Sequence, residues 1–580
     1  MELSNYESRI VKIGNIAVGG NNPICIQSMT STNTMDLDAT VAQSIRMIDA
    51  GCKLVRITAP GIRDAQHLQL IKDELKNKGY ANPIIADIQY QPKAAEIAAG
   101  IVQKVRINPG NYTDRKRGKP GFTEEEYQQE IEKIRERILP LINICKEHGT
   151  ALRIGSNHGS LSERILYRFG DTPKGMVESA MEFVRICNEL EFHNIVLSMK
   201  ASNVKVMVQA NRLLVKQMIT EGFNYPIHLG VTEAGDAEDG RIKSAAGIGP
   251  LLMDGIGDTI RVSLTEDPEF EIPVAKEIVR SSGYRVPDSE IKGPSTSLRD
   301  LANTDYFDKT KRETNIIDLM GGGQVPVVIL SSSKADINSS QIKDDFLPDY
   351  IFDQSKDLIT LFNNQKETQV KQEFLEISSS DDLKKAFNNN ILVFNLTNIK
   401  NLQELKEWFA HLSANKIQNP VIIKKTYHNS NFDKLLIESA IDFSYFLIDE
   451  MVDGIWIEAP ELSQVKLAEL SFGILQATRS RITKTEYIAC PSCGRTLFKI
   501  QDTLQEIKKR TSHLKGLKIG VMGCCVNGPG EMADADYGYV GAGKGKISLY
   551  KGKQLIKTGI EQEMAVEALV NLIKDNNDWK

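Results

Sequence analysis

Four of the eight cysteines stand in two short motifs near the end of the chain, Cys490-Pro-Ser-Cys493-Gly-Arg and Gly523-Cys524-Cys525-Val-Asn-Gly-Pro-Gly-Glu531. A C-x-x-C turn aims two thiolates at one metal, because two intervening residues bring the sulfurs to the same side. A later cysteine on a glycine-rich turn completes three-point ligation. Three thiolates plus one other ligand suit a [4Fe–4S] cube, and four-point ligation would suit zinc equally well. A zinc ribbon usually closes with a second C-x-x-C or a His pair, whereas here the second half is two adjacent cysteines and His513 stands alone. Successive side chains diverge, so one of Cys524 and Cys525 is expected to ligate. Glu531 is the nearest candidate for the fourth position. An oxygen ligand on iron is exchangeable, which would open one iron to a substrate.

A second set of reactive residue types recurs in the first half, each near the end of a short β-rich run. Arg56 lies in KLVRIT, Arg106 and Asn108 in VRINPGN, Arg153 and Asn157 in LRIGSNHGS, Lys200 ends VLSMK, and Arg261 with Ser263 lies in TIRVSL. A lone arginine is usually a solvated surface charge. Repeated at one phase of successive strands, the set points to an anionic ligand, since guanidinium forks match phosphate oxygens. Asp87 and Glu233 are acids at similar positions, suited either to moving protons or to pairing with the arginines. His158 and His228 are assigned no role, and Cys25, Cys52, Cys145 and Cys187 read as buried small residues.

The elements that would position these residues form an alternating pattern. Eight runs, at 24–30, 53–58, 83–88, 102–107, 151–156, 194–200, 226–231 and 258–264, are separated by amphipathic helical stretches. This implies an α/β fold with a parallel sheet, and the count suits an N-terminal (β/α)8 TIM-type barrel, whose C-terminal strand ends would face the site. A doubly wound open sheet is the alternative. Residues 112–138 read as a charged helical excursion from one barrel loop. A polar, turn-rich break near 285–315 precedes a weaker pattern, with strands expected at 325–330, 350–352, 391–396, 420–425, 445–449 and 454–459. The domains expected are therefore a substrate-binding barrel over 1–284, an inserted α/β barrel-like spacer over 285–483 and a C-terminal α+β [4Fe–4S] domain over 484–580. In the last, a helix is expected near 502–515 and a strand at 518–522.

The 580 residues are too many for one core. A net charge of −5 argues against a nucleic-acid partner or a membrane surface. Eight cysteines in so long a chain are not a disulfide scaffold. With no apolar leader and no stretch of bilayer length, the expected location is a bacterial cytoplasm, with no membrane contact.

Taken together, IQSMTST, VRINPGN, RIGSNHGSL, KAS, HLGVTEAG, GIGDTIRVSL, CPSCGRT and GCCVNGPGE resemble the 4-hydroxy-3-methylbut-2-en-1-yl diphosphate synthase (GcpE) family of the non-mevalonate isoprenoid pathway. The likeness runs through about 1–280 and 484–580, and about 200 extra residues between them resemble the family's three-domain form. The resemblance implies reductive opening and dehydroxylation of 2-C-methyl-D-erythritol 2,4-cyclodiphosphate. It implies a [4Fe–4S] cluster on Cys490, Cys493, Cys524 and Glu531, with Glu531 yielding to a substrate oxygen. It places Arg56, Arg106, Arg153, Lys200, Arg261 and Ser263 on the diphosphate, with Asp87, Asn108, Asn157 and Glu233 completing the pocket and Glu233 donating a proton. Flavodoxin or ferredoxin would deliver the electrons. The short form resembles a head-to-tail dimer with shared sites, and the spacer would instead let one chain close on itself, so both a monomer and a homodimer fit. Two departures stand out: Gln89 occupies ADIQY where the family pattern has ADIHF, and Cys525, in an aliphatic position, is expected to be a buried spectator. Other readings of the same residues are a sirohaem-type reductase relative, a zinc-stabilised scaffold and a pterin-binding barrel.

Overall fold

The structure is a computed structural model that describes residues 6–112, 121–283, 285, 312–332, 342–363, 366–369, 373–379, 381–386, 390–397, 399, 402–525, 528–532 and 534–579. It divides into two compact units, Met1–Gly293 with Thr485–Lys580, and Pro294–Lys484. Most of the polar break expected near 285–315 lies outside the described residues.

In the first unit eight strands are laid side by side: β1 (Cys25–Met29), β2 (Leu54–Thr58), β3 (Ile84–Asp87), β4 (Lys104–Ile107), β5 (Ala151–Asn157), β6 (Ile195–Lys200), β7 (His228–Leu229) and β8 (Thr259–Ile260). Every residue of these strands is buried, as expected of a parallel sheet covered by helices on its outer face. Their order is β6-β5-β4-β3-β2-β1-β8-β7, and a parallel bridge from Leu197 to Ile227 closes the ring. The open doubly wound alternative is thereby set aside. A hairpin, Val11–Ile13 with Ile16–Val18, packs with Cys25, Leu54, Ile85, Ala151 and Val196 as an apolar plug.

The helices between strands are locally encoded. Leu37–Ala50 starts where the Asp36 carboxylate accepts from the Ala39 N–H and stops at Gly51, whose φ of 110° is left-handed. Glu124–His148 begins with a Thr123/Glu126 capping box and buries Ile134, Ile138 and Leu141. The expected excursion over 112–138 is therefore corrected. Its described part is the first half of a barrel helix, and its exposed charges are only the outer face of an amphipathic element.

Five strands in the order Glu486–Ala489, Lys518–Met522, Tyr537–Gly543, Lys546–Lys551 and Gln554–Glu561 form the C-terminal part of the same unit. Helices Ile500–Thr511 and Gln562–Asp575 cover one face. Ile488, Met522, Met532 and Val540 cluster on the other, with Cys490 packed against them.

The second unit is built on one eight-stranded sheet, parallel from Phe374–Ile377 through Ile391–Asn395, Val421–Thr426, Gly454–Glu458 and Val327–Ser332 to Tyr350–Asp353. Two antiparallel strands, Leu358–Asn363 and Lys366–Gln369, extend its edge. The strand expected at 445–449 is instead the end of the helix Phe432–Ile448. Its aromatic run satisfied a strand pattern, but it continues a long apolar helix packed on both sides.

Candidate functional site

The barrel's strand ends carry the cations. Successive strand residues alternate in and out, so Arg56, Arg106, Arg153 and Lys200 occupy one phase of four strands and point inward, and Arg261 directly follows the fifth, β8. All five are buried. They line a single chamber of about 650 Å3, open mouth included, together with Asn157, Glu233 and Ser263. The opposite wall is Cys490, Cys493, Cys524 and Arg495 of the C-terminal sheet.

Two carboxylates brace the cations from behind. Arg56 and Arg106 donate to Asp87 Oδ1 at 2.7 and 3.1 Å, and Arg106 also donates to the Gly155 carbonyl at 3.0 Å. A Cβ at Gly155 would stand 2.9 Å from Arg106 Nε, so a larger residue there would displace that fork. Arg261 donates to Glu271 at 3.2 and 3.3 Å. Arg153 has no such brace: its Nε and Nη1 make no hydrogen bond although the residue is 1% exposed.

The charge balance is visible in the pKa shifts. Burial opposes the charge on Asp87, but Arg56, Arg106, Arg495 and Arg153 outweigh it and hold the carboxyl well below its usual range. Burial, then repulsion from Arg56 and Arg106, pulls Arg153 well down. Lys200 is lowered by burial and then by the neighbouring arginines, and Arg56 falls to about 10 by burial, partly offset by Asp87. The chamber therefore stores uncompensated positive charge, the condition for drawing in a polyanion.

Not every expected residue reaches the wall. Asp87 lies behind the arginines, and Asn108 turns to Ser160 Oγ at 3.1 Å. Gln89 does reach it, donating to Asp87 over a long 3.4 Å. Glu233 is buried at the mouth with φ at +51°. A left-handed non-glycine residue costs about 1 kcal/mol or more, and such strain is typical of a side chain held for function.

The C-terminal sheet is seated on this mouth. Ala234 and Ala489 form a parallel bridge. Gln505 and Lys508 donate to Asp236, and Lys243 pairs with Glu486 at 3.3 Å. A Cβ at Gly494 would meet the Thr32 carbonyl at 2.7 Å, and one at Gly530 the Gly159 carbonyl at 2.5 Å. Both glycine-bearing cysteine motifs thus touch barrel loops of the same chain.

The thiols suit a cluster. Cys490 is pushed well up by burial, partly relieved by the Gly523 N–H, which donates to its sulfur at 3.1 Å. Cys493, Glu233 and Cys524 raise it further. A positive metal centre removes that penalty by binding the thiolates. Among the described residues no three Cys, His, Asp or Glu side chains converge as a single ion requires, whereas the corners of a cube are wider apart. Cys525 is exposed rather than buried, which corrects the expectation for it: the turn that aims Cys524 inward sends its neighbour to solvent. The Glu531 side chain lies outside what the structure describes. Arg495, two residues after Cys493 and 3.6 Å from Asp87 Oδ2, was missed. Its place inside CPSCGRT was the available signal.

His228 is a core residue bonded to Gln27. Cys25, Cys52, Cys145 and Cys187 are all buried. Among the described residues, no helix is long and apolar enough to cross a membrane.

Comparison with known proteins gives one consistent result. Residues 8–276 match the GcpE TIM-barrel domain and residues 486–575 the GcpE protein C-terminal domain. The chain is 46% identical to 4-hydroxy-3-methylbut-2-en-1-yl diphosphate synthase (flavodoxin) of Parabacteroides distasonis, covering 100% of both chains. It is 44% identical to the protein of that name from Porphyromonas gingivalis, again over 100% of each. A solved 7,8-dihydropteroate synthase from Vibrio fischeri covers 47% of this chain and 97% of its own, at 12% identity and a TM-score of 0.30, too low to carry an argument.

Proposed function

We infer the chemistry of this chain from its kinship: it belongs to the GcpE family, the 4-hydroxy-3-methylbut-2-en-1-yl diphosphate synthases, oxidoreductases of isoprenoid biosynthesis. The reaction we assign is conversion of 2-C-methyl-D-erythritol 2,4-cyclodiphosphate to 4-hydroxy-3-methylbut-2-enyl diphosphate. Two electrons cleave the ring carbon–oxygen bond to phosphate, a hydroxyl leaves as water with a proton, and a carbon–carbon double bond remains. The observation that carries this reading is that three cysteines and five buried cations line one chamber.

In this reading Arg56, Arg106, Arg153, Lys200, Arg261 and Ser263 hold the diphosphate. Arg153 does most to bind it, because its guanidinium has the most unsatisfied hydrogen-bonding capacity. Asp87 keeps Arg56 and Arg106 extended toward the ligand. Glu233, beside Cys490, supplies the proton that turns the departing hydroxyl into water. Asn157, bonded to Arg106 at 3.3 Å, fixes the fork's orientation, and Asn108 steadies the loop through Ser160. A [4Fe–4S] cluster held by Cys490, Cys493, Cys524 and Glu531 would supply the electrons one at a time. Seating of the C-terminal sheet on the mouth keeps water from the reacting carbon.

The electron donor is assigned as flavodoxin, after the names of the relatives. The division into a barrel over 1–284, a spacer over 285–483 and a cluster domain over 484–580 follows the same reading. Anaerobic purification with iron and sulfide analysis, followed by turnover with a reduced one-electron donor, tests it. About four irons per chain and release of the linear diphosphate are expected. Zinc in place of iron, or a loaded cluster without turnover, would overturn the assignment.

A further inference from the structure

One buried cation has no part in the site just described. Lys104 is 0% exposed, and its Nζ makes no hydrogen bond. It lies on the same inward face of β4 as Arg106, two residues nearer the closed end. Its register partners are Ile85 of β3 and Ala151 of β5, both members of the apolar plug. The ammonium is thus set between a hydrocarbon floor and a layer of arginines.

A structural lysine in such a place normally has a carboxylate or carbonyl partner. Lys104 has neither, so holding it charged would cost several kcal/mol. The groups facing it give little relief. Arg56 of β2 and Arg153 of β5 repel it, Cys25 of β1 keeps its proton up to about 12, and His228 of β7 is held neutral by burial beside Lys200 of β6. Asp87 of β3 is taken by Arg56 and Arg106, and Arg261 of β8 by Glu271. Burial first, then Arg153 and Arg56, outweigh the opposing pull of Cys25 and bring the lysine down to about 7.

We propose that Lys104 is a charge-compensating residue of the substrate site: neutral in the empty barrel, it takes a proton from solvent when a diphosphate settles on Arg56 and Arg153, and gives it back on release. This rests on the functional reading above, which puts the diphosphate on those arginines. The physical argument is local. Anionic oxygens on Arg56 and Arg153 cancel the two repulsions that act on Lys104, and in the poorly screened interior the field of the bound anion reaches it directly. A cyclic diphosphate has one ionised oxygen per phosphorus and does not titrate near neutrality, so protons taken up on binding belong to the protein.

The sign follows from linkage. A lysine whose pKa is raised in the complex favours binding most below its free value, and that advantage is lost as pH rises through the value in the complex. Above about pH 7 the dissociation constant should weaken by up to about tenfold per pH unit.

Calorimetric titration of the oxidised, cluster-loaded full chain with the cyclodiphosphate, at pH 8 in two buffers of different ionisation enthalpy, tests this. The natural enzyme is expected to take up about one proton more per site than Lys104→Met, the remainder belonging to Lys200. Binding without uptake, or equal uptake in Lys104→Met, overturns the proposal. If the methionine variant does not fold, Lys104→Gln replaces it in the same comparison, and a flat Kd profile of the natural enzyme between pH 6.5 and 9 also overturns the proposal. If the cyclodiphosphate itself does not bind, the functional reading fails instead. Inorganic diphosphate then serves as probe, since the natural-minus-variant difference cancels the ligand's own ionisation.

Discussion

The chain contains two parallel β/α sheets, and their carboxyl-terminal strand ends are built on opposite electrostatic rules. In the closed barrel Arg153 is buried with two donors unsatisfied, Lys200 is pulled down by burial and then by its cationic neighbours, and Asp87 and Glu271 brace only three of the five cations. In the second unit the charges satisfy one another. Lys424 pairs with Glu458 at 3.3 Å and lies 4.0 Å from the centre of the Trp456 ring, Lys425 donates to Asp442 at 2.6 Å, and Ser331 and Thr426 both donate to Glu458. The interiors differ too. Tyr350, Val393, Ile422 and Trp456 fill the second sheet, while Gln27, Lys104 and His228 lie inside the first. A shared architecture thus separates into a reactive and a structural version. What distinguishes them is whether the buried charges at these strand ends are left wanting a partner.

The largest expected effect would sharpen that contrast at its most reactive point. Cys490→Ser should abolish turnover and cost most of the bound iron, read by iron analysis and by absorbance near 400 nm. An iron-replete, active serine variant would detach the C-terminal sheet from the chemistry altogether.

Next in size is Arg153→Met, which has opposite expected effects on function and stability. Removing the unbraced guanidinium should raise KM about a hundredfold. It should also raise the substrate-free Tm, because an uncompensated buried cation is replaced by a side chain that packs, a gain of about 1–4 kcal/mol. If Arg153→Met melts lower than the natural enzyme, the charge was stabilising after all and the contrast between the two sheets is lost.

Glu458→Leu probes the other side. It strands Lys424 and removes the acceptor for Ser331 and Thr426, a loss of about 2–3 kcal/mol. The second unit should unfold at lower temperature while kcat and KM stay as they were. A drop in kcat at temperatures where the variant is folded would give that sheet a part in catalysis.

This contrast also sets how far each region could be read from residues alone. The barrel strands were legible because doubly covered parallel strands are continuous apolar runs, and KLVRIT, VQKVRI and ALRIGS each break that run with an inward cation. The second sheet has no such mark, and its edge strand, Lys366–Gln369, is wholly polar and gives no β signal. YFLID misled for the converse reason, since aromatic residues ending a buried helix imitate a short strand. Arg495 escaped attention because its importance lies in meeting Asp87 across the seam between the barrel and the C-terminal sheet, a contact no local pattern encodes. The direction of Cys525 was likewise a property of one turn. Pairing, unlike periodicity, is decided by residues distant along the chain, so the expected cations could be named while their braces could not.

The smallest effect is expected at Gln89. Its amide donates to Asp87 over 3.4 Å, and its Oε1 has no partner within the protein. A contact that long is weak, and Asp87 is already secured by two arginines at shorter range. Gln89→Leu should therefore raise KM by about threefold and leave kcat nearly unchanged, measured by initial rates across substrate concentration. A large fall in kcat would mean that Oε1 accepts a substrate hydroxyl during the reaction. Gln89 would then join Arg153 among the groups left incomplete until the ligand arrives, and the reactive sheet's defining feature would extend from charges to neutral amides.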